Sequence, residues 1–215
     1  NSTTAIFEGE YIEQDVYYAI YPYQEGQYIS WEPGYQFTLP AVQKYAEGTF
    51  APESNVMIGK GSRGEDLKFT SVCGILVIKL TGEEKVETIS LTAKTETGES
   101  AKLSGKFSAS IDWIESPVLT PDASAGTMIT LDCEKGKGVQ LDPTEPTEFY
   151  FVLPPATYSS FTLTIGTTDG KVMLKEGKNL DITRAEYRTA SSLPFAAEVA
   201  FDLSSKGTAN CYIIS

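Results

Sequence analysis

Apolar and polar residues alternate with a period of two along most of this 215-residue chain, the spacing of strands that bury one face. Ile89, Leu91 and Ala93 alternate with Thr88, Ser90 and Thr92; Ile129, Leu131 and Cys133 alternate with Thr130 and Asp132. Phe161, Leu163 and Ile165 alternate with Thr162 and Thr164, so each run predicts a half-buried antiparallel strand. In Asp15–Pro22, Val16, Tyr18 and Ile20 share one face and Tyr17, Ala19 and Tyr21 the other, which predicts a strand buried on both sides. Turn chemistry separates the runs: Thr167-Thr168-Asp169-Gly170 is a hairpin signal, and Thr81–Glu84 and Thr97–Ser100 read as further turns. Pro154-Pro155 closes the strand from Phe149 to Leu153, because proline cannot continue a central ladder.

No stretch of a dozen residues keeps apolar spacing at three and four; the best helical candidate is a short turn near Thr70–Gly74. About ten strands at hairpin spacing predict an all-β, antiparallel β-sandwich with little or no helix. The reading is of one domain over 1–195. The strand pattern restarts at Glu198–Leu203, which makes 196–215 a C-terminal extension or the start of a second module.

Composition narrows the function. A net charge of −12 argues against nucleic acid, whose binding needs a basic face, and against an anionic membrane surface. The longest apolar run, Cys73–Ile78, is far too short to cross a bilayer, which takes about 20 residues. Asn1–Thr4 has neither the basic nor the apolar region of a signal peptide, so either the chain is cytoplasmic or a leader has been removed. Three cysteines without C-x-x-C spacing read as small buried thiols, with free Cys73 and Cys133 preferred over a disulfide between them. The chain has no histidine, which removes Ser-His-Asp and Cys-His catalysis and histidine-ligated zinc. Carboxylate chemistry survives that cut.

The chemical motifs are sparse. Gly59-Lys-Gly-Ser-Arg-Gly64 fits G-x-G-x-x-G, but Glu65 and Asp66 follow where a phosphate-binding helix should begin, so it reads as a flexible glycine loop turning into a strand. Asp112 and Glu115 flank Trp113, the pair one would choose for a glycosidase, although acidic neighbours are expected by chance in a chain with 29 acidic residues. No calcium loop occurs, and Asp169 beside Gly170 reads as a turn former; no metal and no cofactor is expected. Tyr17, Tyr18, Tyr21, Tyr23, Tyr28, Trp31 and Tyr35 crowd the early chain, mostly as core formers. Tyr23, Tyr28, Trp31 and Tyr35, among Gly26, Pro33 and Gly34, are the set expected to be exposed and to contact a ligand or a neighbouring subunit.

Leu67-Lys-Phe-Thr-Ser-Val-Cys-Gly-Ile-Leu-Val-Ile-Lys-Leu80, followed by Val86-Glu-Thr-Ile-Ser-Leu91 and Leu103-Ser-Gly-Lys-Phe107, resembles the fimbrillin-like proteins of Bacteroidetes. Ala19-Ile-Tyr-Pro22, Gly138–Leu141 and Glu148–Pro155 are similar to other strands of that family, and Asp202–Tyr212 to a junction in its longer members. The resemblance implies a transthyretin-like, Greek-key β-sandwich and a non-enzymatic fimbrial (pilus) subunit or adhesin. It also implies export as a lipoprotein precursor to the outer membrane or fimbrium, with the membrane reached only through a lipid anchor absent from this chain. The implied partners are other fimbrial subunits, joined by strand addition after proteolytic trimming. A monomeric surface lipoprotein binding host glycans or proteins is the alternative reading, and a carboxylate-dependent glycosidase the third.

Overall fold

The computed structural model describes residues 13–110 and 117–197. The first strands are β1 (Val16–Tyr21), β2 (Tyr28–Ile29), β3 (Tyr35–Leu39), β4 (Val42–Ala46), β5 (Thr49–Phe50), β6 (Met57–Ser62) and β7 (Lys68–Ser71). Next come β8 (Gly74–Thr81), β9 (Lys85–Lys94), β10 (Gly105–Ala109), β11 (Leu119–Pro121), β12 (Met128–Asp132) and β13 (Val139–Gln140). The last are β14 (Thr147–Leu153), β15 (Ala156–Thr167), β16 (Val172–Ile182), β17 (Tyr187–Thr189) and β18 (Leu193–Pro194). Among the described residues the helical content is one 3-10 turn, Pro52–Ser54. The fold is all-β, as the period-two pattern predicts. The helical turn expected near Thr70–Gly74 is instead the end of β7 and a bend into β8.

Four sheets form two face-to-face layers of packing. The β6 sheet (β1-β6-β7) covers the β3 sheet (β11-β10-β3-β2), and Tyr35, Phe37, Leu39, Ile58, Phe107 and Ala109 meet between them. The β9 sheet (β16-β15-β9-β12-β4-β5, with β13 also on β9) covers the β8 sheet (β14-β8-β17, with β18 also on β8). Its core joins Leu76, Ile78 and Leu80 to Ile89, Leu91, Ile129, Phe149, Phe151 and Leu163. Each fully buried aliphatic or aromatic side chain there contributes roughly 1.5–3 kcal/mol, so these two clusters carry most of the stability. Pairing is mainly antiparallel, with parallel exceptions where β4 joins β12 and where β17 and β18 join β8.

The continuous apolar runs are explained by the β8 sheet. Leu76, Ile78 and Leu80 face the second core, while Ile75 and Val77 pack with Tyr150 and Phe50 on the opposite face. Strand β14 does the same: Phe149, Phe151 and Leu153 enter the second core and Val152 the first. Burial on both sides was expected of Asp15–Pro22. The structure corrects this: among the described residues β1 is an edge strand paired to β6 alone, with Tyr18 and Ile20 half-buried on the first core and Val16 and Tyr21 at the surface.

The expected turns form. The β15–β16 hairpin closes at Thr167–Lys171, where the Thr167 hydroxyl donates to Asp169 Oδ1 at 2.5 Å and Gly170 takes φ +82°. Gly59–Ser62 is not a flexible loop but the body of β6, followed by a tight turn in which Glu65 N–H donates to Ser62 O. A Cβ at Gly59 would stand 3.1 Å from the Phe69 ring of β7, so this glycine permits close cross-strand packing rather than phosphate binding. Cys73 and Cys133 are both buried and free, and burial raises both thiols, that of Cys133 to about 12. The 196–215 segment lies almost wholly outside the described residues.

Candidate interaction surface

The early aromatic set divides between buried and exposed positions. Tyr35 opens β3 on its inward side and is 0% exposed; its hydroxyl donates to Gly59 O at 2.9 Å, and its ring meets that of Tyr18 edge-on at 6.2 Å. Burial first, and the neighbouring Tyr18 second, raise its phenol well above the ordinary tyrosine value. The expectation that Tyr35 is exposed is therefore overturned: once Phe37 and Leu39 are fixed inward, period two carries Tyr35 inward with them. Tyr23, Tyr28 and Trp31 are exposed as expected, at 85%, 55% and 80%.

Two braced loops carry Tyr23 and Trp31, with Tyr28 on β2 between them. In the first, Gln27 ties the chain between β1 and β2: its amide donates to Pro22 O at 3.2 Å and its Oε1 accepts from Gln24 N–H at 3.1 Å. In the second, Ser30 N–H donates to Gly34 O at 3.0 Å and Ser30 Oγ to Glu32 O at 3.0 Å. Gly34 has φ +97°, the left-handed region glycine enters without penalty, and the turn carries Trp31 at its tip.

Next to these loops, the solvent face of the β3 sheet is hollowed into a groove of about 430 Å³. The register sets its floor: Tyr28 lies opposite Gln36, Gln36 opposite Ser108, and Ser108 opposite Thr120, one continuous row across four strands. Thr38 and Lys106 form the next row, and Asp122 N–H bonds Lys106 O at 2.9 Å. Asp122 is held by Ser124, whose N–H and hydroxyl donate to Oδ1 at 2.8 and 2.5 Å; these bonds, with lesser help from Lys106 and Lys102, lower its carboxyl pKa. The sequence carries the signal for this groove in Gln36-Phe-Thr38 and Lys106-Phe-Ser108. It was not legible, because alternation does not say which outward faces end up side by side.

A second hollow of about 700 Å³ opens beside β14 and is lined by Tyr45, Glu47, Lys85, Glu134, Lys137 and Glu148 among others. Two of its carboxylates are ion-paired: Glu134 with Lys137, and Glu148, which accepts from Lys79 at 2.8 Å and from the Tyr150 hydroxyl at 2.5 Å. Those two bonds, the Lys79 one first, hold Glu148 below the usual carboxylate range. Asp112, Trp113 and Glu115 lie outside the described residues. Asp169 is a turn residue, paired with Lys171 at 3.1 Å. Among the described residues no cluster of three acidic or thiol side chains is arranged to hold a metal, and no helix is long and apolar enough to cross a membrane.

The backbone edge of β14 away from β8 has an unusual cover among the described residues. Gln43 of β4 is buried, and its amide donates to Val152 O at 2.8 Å while its Oε1 accepts from Val152 N–H at 2.9 Å. One side chain thus makes the two bonds a neighbouring strand would make. The chain matches no protein-family model and no curated protein.

Proposed function

We propose that this chain is a non-enzymatic, cell-surface fimbrial subunit or adhesin that joins its neighbours by β-strand addition. The observation that carries the reading is β1, a six-residue strand that among the described residues is bonded to β6 alone, and whose Tyr18 and Ile20 cover part of the first core. Such a strand can be supplied equally by another copy of the chain: the ladder gives affinity and the alternate side chains give register. The resemblance to fimbrillin-like proteins supplies the setting, with export as a lipoprotein precursor and residence at the outer membrane or fimbrium. The absence of histidine favours a role without turnover.

The test is electron microscopy of the protease-trimmed, full-length protein at high concentration, with and without a synthetic peptide of residues 15–22. Filaments, or denaturant-resistant ladders, that the peptide suppresses are the expected outcome. Persistent monomers would replace this reading with that of a monomeric surface lipoprotein binding glycans or host proteins, which the exposed Tyr23, Tyr28 and Trp31 favour.

A further inference from the structure

We propose that the groove on the outer face of the β3 sheet is a binding site for a neutral oligosaccharide, with Tyr28 as the stacking platform. The inference rests on the adhesive side of the reading above and adds a site and a ligand class to it.

The register places Tyr28, Gln36, Ser108 and Thr120 in one row, with Thr38 and Lys106 beside them. A saccharide presents an apolar C–H face ringed by hydroxyls, each able to donate and accept. A complementary site therefore needs one flat ring and a dense, mixed set of donors and acceptors. Tyr28 is the flat ring; it stands at one end of the row and is more than half exposed. The amide of Gln36 and the hydroxyls of Thr38, Ser108 and Thr120 both donate and accept, Lys106 donates, and Asp122 keeps Oδ2 as an acceptor while Ser124 occupies Oδ1.

Charge and shape choose among ligand classes. Lys106 and Asp122 cancel, so the lining is neutral on a chain of net charge −12, which repels anionic ligands as a whole. The volume of about 430 Å³ falls in the small-ligand range of roughly 300–1,000 Å³. An ordinary solvated sheet face would be flat and polar. This one is hollowed, and an exposed aromatic ring, Tyr28, lines it beside Gly26 and Pro33 of the two loops that carry the exposed Tyr23 and Trp31.

The experiment presents the intact chain to a printed array of neutral and sialylated oligosaccharides and measures each hit by calorimetry with the free sugar. Neutral oligosaccharides are expected to bind, with affinity falling about tenfold or more in Tyr28→Ala and in Ser108→Arg, which fills the groove floor. Tyr187→Ala, an exposed tyrosine on the β8 sheet, is expected to bind like the parent. Thermal melts of the variants are expected to overlay the parent's, because the altered side chains face solvent; they separate lost binding from lost folding, and Gln36→Ala provides a third lesion in the same row. No saccharide bound by the intact chain, binding confined to sialylated sugars, or undiminished binding in the three groove variants would each overturn the proposal. The array reads the unassembled chain, so a failure here is distinguishable from a failure to form filaments.

Discussion

Gln43 shows what a single residue does that its position in the sequence does not announce. Removing its amide leaves the buried N–H and C=O of Val152 without partners, and each unsatisfied buried group costs about 1–3 kcal/mol. Gln43→Ala is therefore expected to lower unfolding free energy by roughly 2–4 kcal/mol in urea titration. Tyr23→Ala, at a solvent-exposed loop position, should change it by less than about 0.5 kcal/mol. Equal effects from both would remove the strand-like role given to Gln43. Tyr35 teaches the converse. The nearby Gly26, Pro33 and Gly34 group it with an exposed loop, yet its place in β3 puts it inside, where its hydroxyl satisfies the Gly59 carbonyl.

At the scale of elements, close approach between strands governs what substitutions are tolerated. Gly177 in β16 lies opposite Phe161 in β15, and a Cβ there would fall 2.2 Å from the Phe161 ring. Gly74 starts β8 where a Cβ would stand 2.2 Å from Thr183 O, a backbone atom that cannot swing away. Gly177→Ala meets a side chain and should cost about 1–3 kcal/mol. Gly74→Ala must displace backbone and should cost more; thermal melts of the two variants check that order, and a Gly74→Ala variant as stable as the parent would contradict the packing described. The hairpin at Asp169-Gly170 and the break at Pro154-Pro155 were legible in the sequence because proline and glycine act through their own backbone geometry. The Gly59–Gly64 spacing misled for the same reason: glycine also serves close packing, and the strands it packs against are set by the tertiary fold.

For the molecule as a whole, two cores share one chain through the β8 sheet, with Val152 in the first cluster and its neighbours Phe151 and Leu153 in the second. Several aspartates are used to cap turns. Asp142 accepts from Thr144 N–H, the Thr144 hydroxyl and Glu145 N–H, at 2.7, 2.8 and 2.8 Å, and Asp122 and Asp169 cap turns in the same manner. All three, and Glu148, have folded-state pKa values lowered mainly by these hydrogen bonds. A lowered folded value means the stabilisation is complete above the unfolded values of about 4 and is lost as pH falls through the folded ones. Unfolding free energy should accordingly hold steady from neutral pH to about 5 and decline below about 4. Denaturation followed across that range checks the sign, and Asp142→Asn should flatten part of the slope.

By itself the sequence determined the all-β class, the inward faces of β9, β12 and β15, the main hairpin and the proline break. Each is a local consequence of period-two alternation or of a special backbone residue, and local rules act before any tertiary contact exists. Only the tertiary structure decided that β8 and β14 are buried on both faces while β1, among the described residues, pairs with β6 alone. It alone placed Tyr35 inside and Tyr28 outside, and joined Gln36, Ser108 and Thr120, residues 84 positions apart at their extremes, into one groove floor. Alternation fixes which side chains share a strand face, but which strands become neighbours is set by long-range pairing and burial, and a surface site is made of neighbours.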